Sequence, residues 1–227
     1  MKRKVGSVAL ASQLFLEITV FAPVRTMGAA PPPPSAAPRI WSGEAFASPA
    51  PASPAPPAEL PTRVSVSSSE DEGNHESNHA SLSGDGRYVA FESRASNLVL
   101  GDRNQAEDIF VRDRLAGTTE RVSVASDGAE ADGPSAEPAV SADGRYVAFA
   151  SRAKNLSRND RNERWDVFLH DRETRETIPI SVNAEGVHGN HDSTRPALSA
   201  DGWYVAFESR AGNLAPDDRN GRKDVFV

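Results

Sequence analysis

The chain contains no cysteine. That excludes a disulfide-stapled miniprotein, cysteine-ligated zinc or iron, a thiol nucleophile and a lipidated cysteine, and it leaves the redox compartment open. Positive charge is also short: 25 Lys and Arg stand against 32 Asp and Glu, a formal charge of −7. A nucleic-acid surface needs clustered basic residues to displace counterions from phosphates, so that class is excluded. Catalytic signatures are missing as well. No G-x-S-x-G elbow, phosphate loop or pair of unlike carboxylates stands out, which gives no catalytic residue and a non-enzymatic expectation. What remains is globular in composition, 38% hydrophobic and 25% charged over 227 residues, enough for one or two domains.

The composition is uneven along the chain. Of the 17 prolines, 12 lie between Pro23 and Pro61, and most of the aromatic residues follow residue 62. Lys2, Arg3 and Lys4 precede a mostly apolar run from Val5 to Ala22. This charge-then-apolar order predicts a secretory signal peptide over residues 1–30, processed near Ala29 or Ala30. The rival is an uncleaved N-terminal anchor, for which the run is short and Glu17 costly; membrane contact would then come through that segment alone. Export to periplasm, cell surface or medium follows from the first reading. Residues 31–61, with four consecutive prolines from Pro31, read as a disordered Pro/Ala-rich linker, since proline favours extended polyproline II and removes amide donors.

Residues 62–227 are an internal repeat. Asp85, Asp143 and Asp201 are 58 residues apart, as are Phe91, Phe149 and Phe207, with no insertion or deletion. SGDGRYVAFESRASNL, SADGRYVAFASRAKNL and SADGWYVAFESRAGNL begin at residues 83, 141 and 199. DRNQAEDIFV, DRNERWDVFL and DRNGRKDVFV begin at Asp102, Asp160 and Asp218. The units run over about 63–124, 125–182 and 183–227. Repeats of this kind bury their faces against their neighbours.

Tyr88 to Phe91 is apolar at consecutive positions, so the strand it forms needs cover on both faces. Residues 109–111, 167–169 and 225–227 behave alike. Residues 121–124 alternate instead, as a half-buried strand does, with counterparts at 63–66 and 179–182. A tight Asp-Gly turn joins the first two strands. The first unit is thus predicted as a four-stranded meander with strands near 80–83, 87–93, 108–113 and 119–124. Stacked four-stranded sheets make a β-propeller, so the fold class is all-β: three blades' worth of a partial or truncated propeller behind a disordered N-terminal segment. The S-x-D-G-x-x-V-A-F core followed by D-(I/V)-F-V resembles the TolB-like β-propeller repeat, three times over residues 63–227. The WD-repeat dipeptide occurs once, as Trp165-Asp166. Three blades are few for a closed ring. The expected explanations are a truncated product of a longer gene, a homodimer completing a six-bladed ring, or an open arc; residues 63–66 would close the last blade.

The surplus of a 58-residue unit falls in the loop at 95–107 and the linker at 125–137, which leave the sheet on one edge. Binding residues ride on such loops. The linkers are acidic and favour cations or basic partners. D-x-N-x-x-x-D supplies the candidate calcium ligands Asp102, Asn104 and Asp108; Asp160, Asn162 and Asp166; and Asp218, Asn220 and Asp224, spaced like half of an EF-hand loop. The same residues could form Asx-turns that launch the next strand, and both readings stay open here. Arg94, Arg152 and Arg210 recur and are expected to bond within each blade. His75, His79, His188 and His191 are candidate chelators if the linkers approach one another. The functional expectation is an exported binding or scaffold module presenting an acidic loop face to a protein, peptide or glycan. The TolB resemblance implies an extracytoplasmic interaction role. The alternative is the propeller portion of a secreted hydrolase, lyase or peptidase, or a fragment of a longer propeller protein.

Overall fold

The computed structural model describes residues 60–227. The expected signal or anchor segment and nearly all of the Pro/Ala-rich linker lie outside the described residues. Eleven strands are present and, among the described residues, no helix. The first sheet holds β1 (Ser77–Leu82), β2 (Tyr88–Ser93), β3 (Asp108–Asp113) and β4 (Thr118–Arg121) in that order. The second holds β5 (Ser135–Val140), β6 (Tyr146–Ser151), β7 (Asp166–Asp171) and β8 (Glu176–Pro179). In the third, β9 (Ser193–Leu198), β10 (Val205–Ser209) and β11 (Asp224–Phe226) pair in the same way. All pairings are antiparallel between chain neighbours. These are the blades of a β-propeller.

Alternation along the second and third strands decides how blades meet. Ala90, Ile109 and Val111 turn small or β-branched groups toward the second blade, where Val147, Phe149 and Phe168 receive them. Ala148 and Val167 do the same against Val205 and Phe207 of the third. The phenylalanines pair within each blade, Phe91 with Phe110, Phe149 with Phe168 and Phe207 with Phe226, at centroid separations of 5.9, 6.1 and 5.6 Å. Large groups thus meet small ones at each blade junction, as close packing requires.

Three expectations are corrected in detail. The first strand starts at Ser77, not near residue 80, because a bulge between Asn78 and Ser81 bends it. The bulge recurs, with His79, Glu137 and Arg195 at positive φ. The amides of Glu137 and Arg195 are taken up by the preceding blade: Glu137 N donates to Glu92 Oε2 (3.0 Å), and Arg195 N to Glu137 Oε2 (2.7 Å). Second, the Asp-Gly turn is a five-residue loop, Ser83 to Arg87, rather than a two-residue primed turn. Gly86 N donates to Ser83 O, only Gly86 has positive φ, and Asp85 accepts from Ser83 Oγ and Arg87 N. Third, the outer strand leaves the sheet after Arg121 and after Pro179, earlier than the alternating pattern suggests. Ser123 Oγ takes the Ile109 amide there, and Val124 forms an isolated bridge with Glu130. Residues 63–66 form no strand and do not pair with β11; Val66 bridges Glu72 instead.

Candidate functional site

The loop after the second strand and the linker between blades lie together on one edge, joined by repeated asparagines. Asn97 Nδ2 donates to Glu72 O (2.7 Å), Asn155 Nδ2 to Glu130 O (2.6 Å) and Asn213 Nδ2 to His188 O (2.9 Å). From the other side, Asn104 Nδ2 reaches Ala131 O (3.0 Å) and Asn162 Nδ2 reaches Gly189 O (2.8 Å). Each of the linkers near residues 131 and 189 is therefore held by the blades before and after it. Their acidic side chains at Asp127, Asp132 and Glu185 stay exposed, as do Asp71, Glu72 and Glu76 ahead of the first blade.

The D-x-N-x-x-x-D residues are brought together, but not as converging oxygens. Asn104, Asn162 and Asn220 turn Nδ2 toward Asp108, Asp166 and Asp224 at 2.9, 3.1 and 3.1 Å. Their Oδ1 atoms accept the amides of Ala106, Arg164 and Arg222 at 2.8, 2.7 and 2.5 Å. The asparagines thus form turns and grip linkers, and their oxygens are committed to backbone. The carboxylates gather with residues from elsewhere. Asp102 and Asp108 meet Glu130, and Asp160 and Asp166 meet His188, the ligand atoms of each trio within 4.8 Å of one another.

In the first blade the trio encloses a cation. Arg121 Nη1 lies 2.5 Å from Glu130 Oε1, 3.5 Å from Asp108 Oδ2 and 3.8 Å from Asp102 Oδ1. Asp108 is fully buried and also accepts from Ser123 Oγ at 2.5 Å. Burial nevertheless pushes its carboxyl up to about 6, against the opposing pull of Ser123 and Arg121. Burial likewise raises Asp102. Glu130 goes the other way: burial raises it, but the Arg103 amide and the Arg121 guanidinium outweigh that.

The second blade repeats this arrangement with two changes. Pro179 occupies the Arg121 position, and His188 the Glu130 position. His188 is buried, with Nε2 3.0 Å from Ser157 Oγ and Nδ1 3.3 Å from Asp166 Oδ2. Burial lowers its basicity, yet the Asp166 carboxylate raises it further, for a net rise. Burial raises Asp160. In the third blade Asp218 and Asp224 gather no such trio among the described residues.

The other histidines do not join. His75 and His191 are exposed, and His79 Nδ1 is 2.6 Å from Glu92 Oε1. Arg94 Nε is 3.2 Å from Glu107 Oε1, and Arg152 donates to Glu163 O at 3.1 Å, both within one blade. Sequence reasoning missed Arg121 and Glu130 and did not connect His188 with Asp166. The available signal was the pair of aligned columns 63/121/179 and 72/130/188, which read Arg/Arg/Pro and Glu/Glu/His.

No protein-family model matches the chain, and no curated protein sequence does. Among solved structures it is similar to TolB from Acinetobacter baumannii, 18% identical with a TM-score of 0.41, covering 66% of this chain and 29% of that one. A putative TolB from Agrobacterium tumefaciens is 22% identical with a TM-score of 0.40, covering 59% of this chain and 38% of that one. The β-propeller domain of the Trilobed protease from Pyrococcus furiosus is 10% identical with a TM-score of 0.38, over 67% of this chain and 43% of that one. The chain thus spans less than two fifths of the length of either TolB structure. The propeller assignment rests on the sheets themselves, consecutive antiparallel meanders stacked through one repeated core.

Proposed function

We propose that the chain is a non-enzymatic, exported binding module that presents its acidic loop edge to a protein, peptide or glycan partner carrying positive charge. The observation that carries this reading is the double grip on the linkers. Asn104 and Asn155 hold the linker around Ala131 from two blades, so Asp127 and Asp132 project from a fixed frame rather than a floppy loop. A preorganised surface of one charge sign spends little ordering entropy on binding and draws cationic ligands at long range. The repeated polar residues are occupied in holding the blades together, which is why no catalytic role is assigned to them. Export rests on Lys2, Arg3 and Lys4 ahead of the apolar run.

Fluorescence anisotropy of the full chain against a labelled lysine-rich peptide and a labelled amine-bearing glycan tests the reading. Binding of at least one, weakening as salt rises through about 0.1 M and lost on acetylation of the ligand amines, is expected. No binding of either at low salt would overturn it, and so would turnover of a peptide or glycan.

A further inference from the structure

The change from Arg121 and Glu130 to Pro179 and His188 removes a fixed cation from a buried acidic cluster. Asp160 and Asp166 are 6% and 0% exposed, and among the described residues no guanidinium pairs with them as Arg121 does with Asp108. Buried carboxylates persist only when a counter-charge accompanies them. His188 is the remaining partner, and its geometry is that of a ligand. It is 7% exposed, and Nδ1 has no hydrogen-bond partner among the described residues although Asp166 Oδ2 is 3.3 Å away. With Nε2 paired to Ser157 Oγ at 3.0 Å, Nδ1 is the ring nitrogen left facing the two carboxylates. Nδ1 and Asp166 Oδ2 approach this closely only with a positive centre between them, a proton or a metal ion that displaces it.

The observed 3.3 Å matches the edge of a tetrahedron drawn around a metal with ligands at about 2.0–2.1 Å. The supporting hydrogen bonds are in place too. Ser181 Oγ donates to Asp166 Oδ1 (2.7 Å), Asn162 Nδ2 to Asp166 Oδ2 (3.1 Å) and Asn162 N to Asp160 Oδ1 (3.2 Å). Such outer contacts orient metal ligands and are costly to lose. A cavity of about 410 Å³, lined by Asn162, Val187, His188 and Gly189 among others, lies against the His188 side of the cluster. One imidazole with two carboxylates suits zinc and its neighbours, whereas calcium takes oxygen alone.

We propose that Asp160, Asp166 and His188 bind one divalent transition cation of the zinc class at the junction of the second and third blades, where it replaces the guanidinium used in the first. The proposal is independent of the partner reading above.

The test is calorimetric titration of the metal-free full chain with Zn²⁺, repeated with Co²⁺ to read its visible spectrum. One equivalent per chain is expected, with a tetrahedral Co²⁺ spectrum and no displacement by excess Ca²⁺. His188→Ala and Asp160→Asn are each expected to weaken binding more than about tenfold, and His191→Ala to leave it unchanged. Should His188→Ala fail to fold, the double variant Pro179→Arg with His188→Glu rebuilds the first blade's set. It is expected to fold without metal and to take up none. A folded wild type that takes up no Zn²⁺ overturns the proposal, and so does a folded double variant or His188→Ala that retains its equivalent.

Discussion

Gly144 offers the sharpest test of how the blades lock. It has φ +76°, and a Cβ built there would lie 2.0 Å from Tyr88 Cδ2, 2.5 Å from Cγ and 2.7 Å from Cε2 of the preceding blade. The ring is not free to swing away. The Arg87 and Arg172 guanidinium carbons lie 4.8 and 4.5 Å from its centroid, and Arg172 Nη1 also donates to Gly144 O. Gly202 repeats the arrangement beneath Tyr146, at 2.3 Å. Gly128 is the natural control, since its φ is +84° but nothing lies within 4 Å of an added Cβ. Gly128→Ala therefore meets only the left-handed backbone cost, about 1–2 kcal/mol. Gly144→Ala meets the same cost plus overpacking of about 1–3 kcal/mol, so roughly 2–5 kcal/mol in all. Urea unfolding of the full chain reads the difference as a shift in midpoint at constant slope. In a Tyr88→Ala background the overpacking vanishes, and Gly144→Ala should fall back to the Gly128→Ala cost, a coupling of about 1–3 kcal/mol. Equal costs at Gly144 and Gly128, or a Gly144 cost that survives Tyr88→Ala, would refute the inter-blade lock.

Other expectations follow from the same contacts. Arg121→Leu leaves Asp102, Asp108 and Glu130 without their cation and should cost about 3–5 kcal/mol at neutral pH; the loss should shrink below pH 6 as Asp108 takes up its proton, read by urea unfolding at both values. Asp113 and Asp171 are held at about 2 by hydrogen bonds from Arg87 and Arg145. The unfolded chain therefore takes up these protons first, and stability should be lost as pH falls from about 4 toward 2. Asp113→Asn should flatten that slope in acid titrations followed by circular dichroism. Asn155→Ala removes the grip on Glu130 O; it should cost about 1–2 kcal/mol and speed amide exchange in the linker around Ala131.

Much of the fold was legible because it repeats. The 58-residue period, the doubly covered Tyr88–Phe91 strand and the short connection after Asp113 all follow from side-chain pattern, and the sheets form there. The details that escaped are set by neighbours rather than by the strand itself. The bulges at Glu137 and Arg195 are tolerated because carboxylates of the preceding blade take their amides, which no window around residue 137 reveals. The carboxylate clusters were half legible. Asp102 with Asp108 and Asp160 with Asp166 are visible as spacing, but Arg121, Glu130 and His188 arrive through strand register and linker folding, 13 to 28 residues away. Asn104 and Asn162 fit the calcium pattern by spacing alone. Their oxygens went to the backbone because the same residues must also hold the linkers.

The first two blades build one carboxylate arrangement, which Arg121 neutralises in the first and the proposed metal ion neutralises in the second. Anomalous diffraction at the zinc edge, from crystals of the full chain grown with Zn²⁺, tests this directly. A peak bounded by Asp160, Asp166 and His188, with none beside Arg121, is predicted. A peak among Asp102, Asp108 and Glu130 as well, or peaks only at exposed side chains such as His191, would contradict it.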